Sequence, residues 1–346
     1  MIKTTVMSGT ALALAMTALA LTAGTADAQQ KTRLTVYTAI ENEQLQPFKE
    51  AFEKATPDVE IAWVRDSTGT LTARFLAEKD NPRADAIWGL AVTSLLAFEE
   101  QGLLADYKPK EYDRLKPGFR DGAAPFTWHG IDAFAAAVCF NTAVAKAANL
   151  PAPKTWADLL NPAYKGKIVM PNPASSGTGY LTVAAWQQIM GDGPSWAYMD
   201  KLHENIGVYT HSGSAPCVQA ARGEFAIGIS FDMRAASEKT KGAPLDIVVP
   251  TDGVGWEMEG SAIVKATKNL AAAQKLMDFS ASVPANEIYA KYYNIVGHTA
   301  VKGNAPNYPA ETEARLIKAD FAKIAADRSK TLAEWTKRYD GKSAPK

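Results

Sequence analysis

The chain is poor in the residues that most catalytic and metal chemistry needs. It has two cysteines, Cys139 and Cys217, and four histidines, His129, His203, His211 and His298, in 346 residues. Two cysteines cannot build a structural zinc site alone, and the histidines lack ligand spacing, so neither a metal nor a cofactor is expected. A nucleophile elbow is missing, because Ser175-Ser-Gly-Thr-Gly179 has the wrong spacing for Gly-x-Ser-x-Gly. His203-Glu204 lacks the second histidine of a zinc protease, and Glu257 with Glu259, an acid/base pair in outline, reads better as a solvated strand edge. The chain is therefore not expected to be an enzyme, and a secreted hydrolase is the weak alternative. Charge of one sign is also absent: 37 Lys and Arg balance 37 Asp and Glu. A neutral chain without a basic run does not suit nucleic acid. Beyond the N-terminal leader no apolar run approaches the length of a membrane helix.

What is present points to export. Lys3 supplies a positive start, residues 11–23 form an apolar core too short to span a bilayer, and Ala26-Asp27-Ala28 fits a small-x-small cleavage site. Residues 1–28 are expected to be a signal peptide, no lipobox cysteine follows, and the mature protein is placed in the periplasm as a monomer. There Cys139 and Cys217 either pair or remain two buried thiols; sequence does not tell whether their Cα atoms come within reach.

Strands alternate with helices along the mature chain. Leu34-Thr-Val-Tyr37, the alternation Val59, Ile61, Trp63, and Ala84-Asp-Ala-Ile-Trp88 read as strands. Each leads through a polar junction to a helix: Thr38 to Glu43, Asp66 to Thr70, and Trp88 to Thr93. Such alternation implies α/β sheets with ligands at the carboxyl ends of strands. The apolar run 133–140 and the return Ser261-Ala-Ile-Val264 read as crossings between two bodies. Lobe 1 is expected over 29–133 plus about 259–305, and lobe 2 over 134–258. A C-terminal helical segment at 306–346 is left without a lobe.

The stretch Met170-Pro-Asn-Pro-Ala-Ser-Ser-Gly-Thr-Gly-Tyr-Leu181 carries the most information. A strand end at Ile168-Val-Met170 is broken by Pro171 and Pro173, and a helix pattern begins beyond Gly179. Hydroxyls and glycines thus fall where helical N–H groups lack partners, which makes either an anion seat or an ordinary solvated N-cap.

Trp156, the Lys165-Gly-Lys signature and the Ser-Gly-Thr loop resemble the solute-binding proteins of ABC importers, in the type 2 branch with ferric-iron, polyamine and thiamine binders. Gly207-Val-Tyr-Thr-His-Ser-Gly-Ser-Ala-Pro-Cys217 and Tyr292-Tyr-Asn-Ile-Val-Gly297 resemble the 2-aminoethylphosphonate-binding members most. The resemblance implies a two-lobed α/β fold with mixed sheets and a ligand cleft between lobes. It also implies delivery of captured solute to a membrane permease, with 2-aminoethylphosphonate as ligand. Iron is disfavoured: where iron binders carry paired tyrosines this chain has Phe231-Asp-Met-Arg234, and Glu41 stands where they commonly place a histidine. Another small anion or a polyamine is the alternative ligand. A phosphonate needs donors, expected from Ser67, Thr68, Ser176, Gly177, Thr178 and Arg234. An ammonium needs carboxylates or aromatic walls, expected from Asp232, Glu41, Glu257, Tyr37, Trp88 and Trp256.

Overall fold

The computed structural model describes residues 31–122 and 124–345, so the expected signal peptide lies outside the described residues. Ten strands order the fold: β1 (Thr32–Thr38), β2 (Val59–Arg65), β3 (Ala86–Ala91), β4 (Trp128–Asn141), β5 (Ile168–Pro171), β6 (Ile206–Thr210), β7 (Ile227–Phe231), β8 (Leu245–Val248), β9 (Trp256–Ile263) and β10 (Ile295–Val296). They run in the order β2-β1-β3-β9-β4-β7-β5-β6, with β8 and β10 also on β4. The β1–β2, β1–β3, β5–β6 and β5–β7 pairs are parallel, as helix-linked strands require. All pairs made by β4 and β9 are antiparallel, so the sheets are mixed.

The two-lobed α/β fold rests on β4. Its first half, to Ala135, pairs with β9, and from Ala136 onward it pairs with β7 and β8. A strand buried along all 14 residues serves two sheets in turn, which explains the unbroken apolar run at its centre. One core forms around Phe48, Trp88 and Tyr289, with Phe48 ring centroids 5.4 and 5.1 Å from the other two. The other forms around Trp156 and Trp186, whose rings meet edge-on at 5.3 Å. The C-terminal helix Phe321–Tyr339 sends Trp335 and Tyr339 into this second core.

Cys139 in β4 and Cys217 in the helix Ala215–Ala221 form a disulfide, with Cα atoms 5.4 Å apart. The crossing strand and the helix that follows the 211–214 loop are thereby joined covalently.

Candidate ligand-binding site

Two helix starts meet beside a narrow cleft of about 40 Å³. The helix Thr68–Ala77 begins after β2, and Gly177–Met190 begins after β5. Both junctions follow parallel strands, so both bring a helix N-terminus to the carboxyl edge of a sheet. The approach of the two loops is close. Gly69 N donates to Ser175 O at 2.9 Å, and a Cβ on Gly69 would lie 2.3 Å from Ala174 O. A Cβ on Gly177 would lie 2.7 Å from Thr68 Oγ1, and one on Gly213 would lie 2.3 Å from Thr178 Oγ1. Glycine is needed at these three positions because a neighbour already occupies the space of a side chain.

The seat is held by its own hydrogen bonds. Ser176 Oγ accepts from Gly179 N at 3.2 Å, so this hydroxyl caps its helix as well as lining the cleft. The loop is thus an N-cap, with the capping hydroxyl at the cleft surface. Ser175 is linked to His211 Nδ1 at 3.0 Å, and His211 Nε2 lies 2.8 Å from Ala344 O, which ties the loop to the chain end. Ser230 Oγ donates to Gly213 O at 2.7 Å and fixes the 211–214 loop from below. Ser67, Thr68, Ser176, Gly177, Thr178 and Glu41 all line the cleft.

Other expected residues lie elsewhere. Arg234 does not line the cleft: its guanidinium is 3.0 Å from Glu41, 2.7 Å from Glu43 and 3.2 Å from Glu238. Three carboxylates occupy it, and it joins the helix Asp232–Thr240 to the segment after β1 instead of receiving an anion. Asp232 is buried beside it, accepting from Tyr308 Oη at 2.9 Å and from Met233 N at 2.7 Å. Glu257 accepts from Thr93 Oγ1 at 2.6 Å. Burial pushes both carboxyls up to about 7. Trp88 is fully buried and donates from Nε1 to Tyr289 Oη at 2.8 Å, which makes it core. Tyr37 is also buried, donating to Glu78 at 2.6 Å beneath the Arg74 guanidinium. Trp256 donates to Ile317 O at 3.0 Å and packs edge-on to Phe321. Each aromatic finds a partner inside the protein, which is the ordinary fate of a large side chain at a strand end.

The cleft also takes in residues outside the expected donor and wall sets, some of them within the 207–217 and 292–297 stretches that carried the resemblance. Arg65, the last residue of β2, lines it and contacts Glu41 at a long 3.5 Å. Phe134 and Phe231 form an apolar wall with ring centroids 5.3 Å apart. Ser212 and Gly213 complete the donor side, while Glu259 and Tyr293 lie on the floor. The signal for Arg65 was its place immediately before the Asp66-Ser67-Thr68 helix start. For Glu259 the signal was misread, because β9 is buried and its glutamates face inward instead of lying on a solvated edge.

The chain matches the family model described as bacterial extracellular solute-binding protein over residues 82–324. It is 31% identical to the periplasmic binding protein AfuA from Actinobacillus pleuropneumoniae, whose structure holds exogenous fructose-6-phosphate; the TM-score is 0.84, covering 90% of this chain and 99% of that one. It is 32% identical over 314 residues to an uncharacterized protein of Haemophilus influenzae, spanning 89% of this chain and 90% of the relative. A probable ABC transporter periplasmic-binding protein of Sinorhizobium fredii, y4fP, is 25% identical over 247 residues, covering 68% of this chain and 66% of the relative. With an α/β fold on two sheets, a donor-lined cleft between them and these matches along its length, the chain belongs to the bacterial extracellular solute-binding proteins, as a type 2 periplasmic receptor of an ABC importer.

Proposed function

We propose that the protein captures a small organophosphorus solute, 2-aminoethylphosphonate, and hands it to its importer. The observation that carries this reading is the meeting of two helix N-termini, each flanked by hydroxyls and by glycines that admit no side chain. Such a seat suits three acceptor oxygens on one phosphorus atom, and the aligned helix dipoles favour their negative charge. In this reading Thr68, Thr178, Ser67 and Ser212 donate hydroxyls, Gly177 and Gly213 offer backbone N–H groups, and Arg65 supplies the guanidinium once expected of Arg234. Glu41 and Glu259 lie on the acidic side, where an ammonium would be received.

A phosphorylated sugar is a second reading, favoured by the likeness to AfuA with its bound fructose-6-phosphate. It uses the same seat and sets sugar hydroxyls against the acids. In both readings lobe 1 comprises 29–133 and about 259–305, lobe 2 comprises 134–258, and the cleft closes about the crossing strands β4 and β9. Calorimetric titration of the mature protein with 2-aminoethylphosphonate, fructose-6-phosphate, inorganic phosphate, ferric citrate and putrescine separates these classes. Tight binding of 2-aminoethylphosphonate is expected; binding of putrescine or ferric citrate alone overturns the seat.

A further inference from the structure

Beneath the cleft lies a buried pair of acidic side chains with few partners. Asp132 in β4 and Glu259 in β9 are direct cross-strand partners, so their side chains stand on one face of the sheet. Phe134, two residues beyond Asp132, shares that face and lines the cleft together with Glu259. Asp132 is 0% exposed, and among the described residues neither of its carboxylate oxygens has a hydrogen-bond partner. Glu259 is 7% exposed and accepts from the Tyr293 hydroxyl at 3.2 Å. Buried carboxylates ordinarily collect donors or a cation, because an unanswered one is costly. Among the described residues no three His, Cys, Asp or Glu side chains come together as a metal ligand set.

We infer that Glu259, backed by its buried cross-strand partner Asp132, forms a cation-recognition subsite that receives the ammonium group of the solute, and that the ammonium displaces a proton held by the pair. The inference rests on the reading that the phosphorus end occupies the helix-terminus seat. The step balances as one carboxylic acid and one ammonium giving a carboxylate–ammonium pair and a proton released to solvent. The surroundings favour a protonated pair in the empty cleft. Burial pushes both carboxyls upward, and neighbouring acids add to it: Glu259, with Asp232 from the helix after β7, raises Asp132, and Glu41 with Glu257 raises Glu259. Against them stand Arg65 and the hydroxyl of Tyr293, which favour the Glu259 carboxylate. The remaining group facing the pair is Tyr289, whose hydroxyl is raised well above its ordinary range by burial and stays neutral. A sugar hydroxyl can hydrogen-bond to a neutral acid without expelling its proton, so proton release distinguishes the two ligand classes.

The test is calorimetry of the mature protein at pH 7, in buffers of differing ionisation enthalpy, with 2-aminoethylphosphonate, ethylphosphonate and fructose-6-phosphate as probes. The ammonium acidifies the phosphonate, so the two ligands ionise differently at pH 7, and each ligand's proton count is therefore compared between the parent and Glu259→Gln, where the ligand's own ionisation cancels. The expected result is that 2-aminoethylphosphonate binds roughly 100-fold or more tighter than ethylphosphonate and releases more protons from the parent than from Glu259→Gln, whereas the count for ethylphosphonate is the same in both. Glu259→Gln should shrink that gap to within about tenfold and remove the extra proton release. Equal affinities for the two phosphonates, or a 2-aminoethylphosphonate proton count that Glu259→Gln leaves unchanged, overturn the subsite while leaving the seat intact. Tighter binding of fructose-6-phosphate without proton release does the same. Failure of all three probes to bind folded protein overturns the seat and the subsite together. Asp132→Asn is the second variant; should it fail to fold, the Glu259→Gln comparison still decides.

Discussion

The two ends of the cleft are built from opposite materials. At one end donors come from backbone N–H groups and neutral hydroxyls at two helix starts, with Arg65 the one formal charge lining that side. At the other end, formal charges are mounted on the central strands: Asp132 and Glu259 with Glu41 nearby. The seat is controlled by shape, because its N–H groups do not titrate and its glycines leave no spare volume. The floor is controlled by protonation, because burial makes its charge state depend on what is bound. Steric changes should therefore act on the seat, whereas charge changes and pH should act on the floor.

The largest effect should come from filling the seat. Gly177→Val places methyl groups where Thr68 Oγ1 already lies 2.7 Å from a bare Cβ. Binding of the phosphonate should fall roughly 1000-fold or more, about 4 kcal/mol, and the melting temperature should fall with it. Parental affinity in a folded Gly177→Val protein would break the comparison, since the anion would then have to bind elsewhere.

Loss of the disulfide comes next. The Cys139–Cys217 link closes 78 residues and anchors the helix that leaves the 211–214 loop. The double variant Cys139→Ala/Cys217→Ala should lose about 2–5 kcal/mol in urea unfolding. The 211–214 loop belongs to the seat, so ethylphosphonate affinity should weaken as well, while the preference for the amine-bearing phosphonate persists. A variant that loses the preference but keeps the affinity would show that the link supports the floor instead.

This contrast also explains what could be read from the sequence. The seat is local: Ser176, Gly177 and Thr178 are consecutive, and Ser67 and Thr68 adjoin. Proline breaks followed by small residues and a helix pattern suffice to locate such a turn. The strands were also readable, with Leu34-Thr-Val-Tyr37 falling inside β1 and the 133–140 run inside β4. The floor is not local. Asp132 meets Glu259 only through the register of β4 on β9, which no spacing along the chain encodes. Asp232 and Arg234 misled for the same reason. They stand at a helix start after a strand, as a site residue would, yet Tyr308, Glu41 and Glu43 reach them from distant segments and satisfy them. Trp88 was equally ambiguous, because a strand-end tryptophan looks the same whether it faces a cleft or Phe48 and Tyr289.

Removing one donor from the seat should have a smaller consequence. Thr178→Ala deletes a hydroxyl at the cleft but keeps the helix N–H groups and the Ser176 cap. The cost should be about 1–3 kcal/mol of affinity, equal for 2-aminoethylphosphonate and ethylphosphonate. A loss confined to the amine-bearing ligand would place Thr178 on the floor's side of the comparison.

The mildest test leaves the sequence untouched and changes only pH. Burial holds the Asp232 and Glu257 carboxyls up at about 7, and raises Asp132 and Glu259 as well. In the unfolded chain these groups titrate near pH 4, so between about 4 and 7 the folded state binds more protons. Their contribution is thus complete below pH 4 and is lost as pH rises through the folded values. His129 acts in the opposite sense, because burial pushes its imidazole down to about 3 and its contribution grows from there to about 6.5. Above pH 6.5 the histidine has no further effect and the acids alone set the slope. The ligand-free protein should therefore lose about 1–2 kcal/mol between pH 6.5 and 8.5, measured by urea unfolding at the two values. Saturating 2-aminoethylphosphonate should flatten that slope, since an ammonium on the floor stabilises the carboxylates that high pH creates. Ethylphosphonate should stabilise the protein without flattening it. A slope that neither ligand changes would mean the floor's acids answer only to burial, and that the cleft is charge-selective at the seat alone.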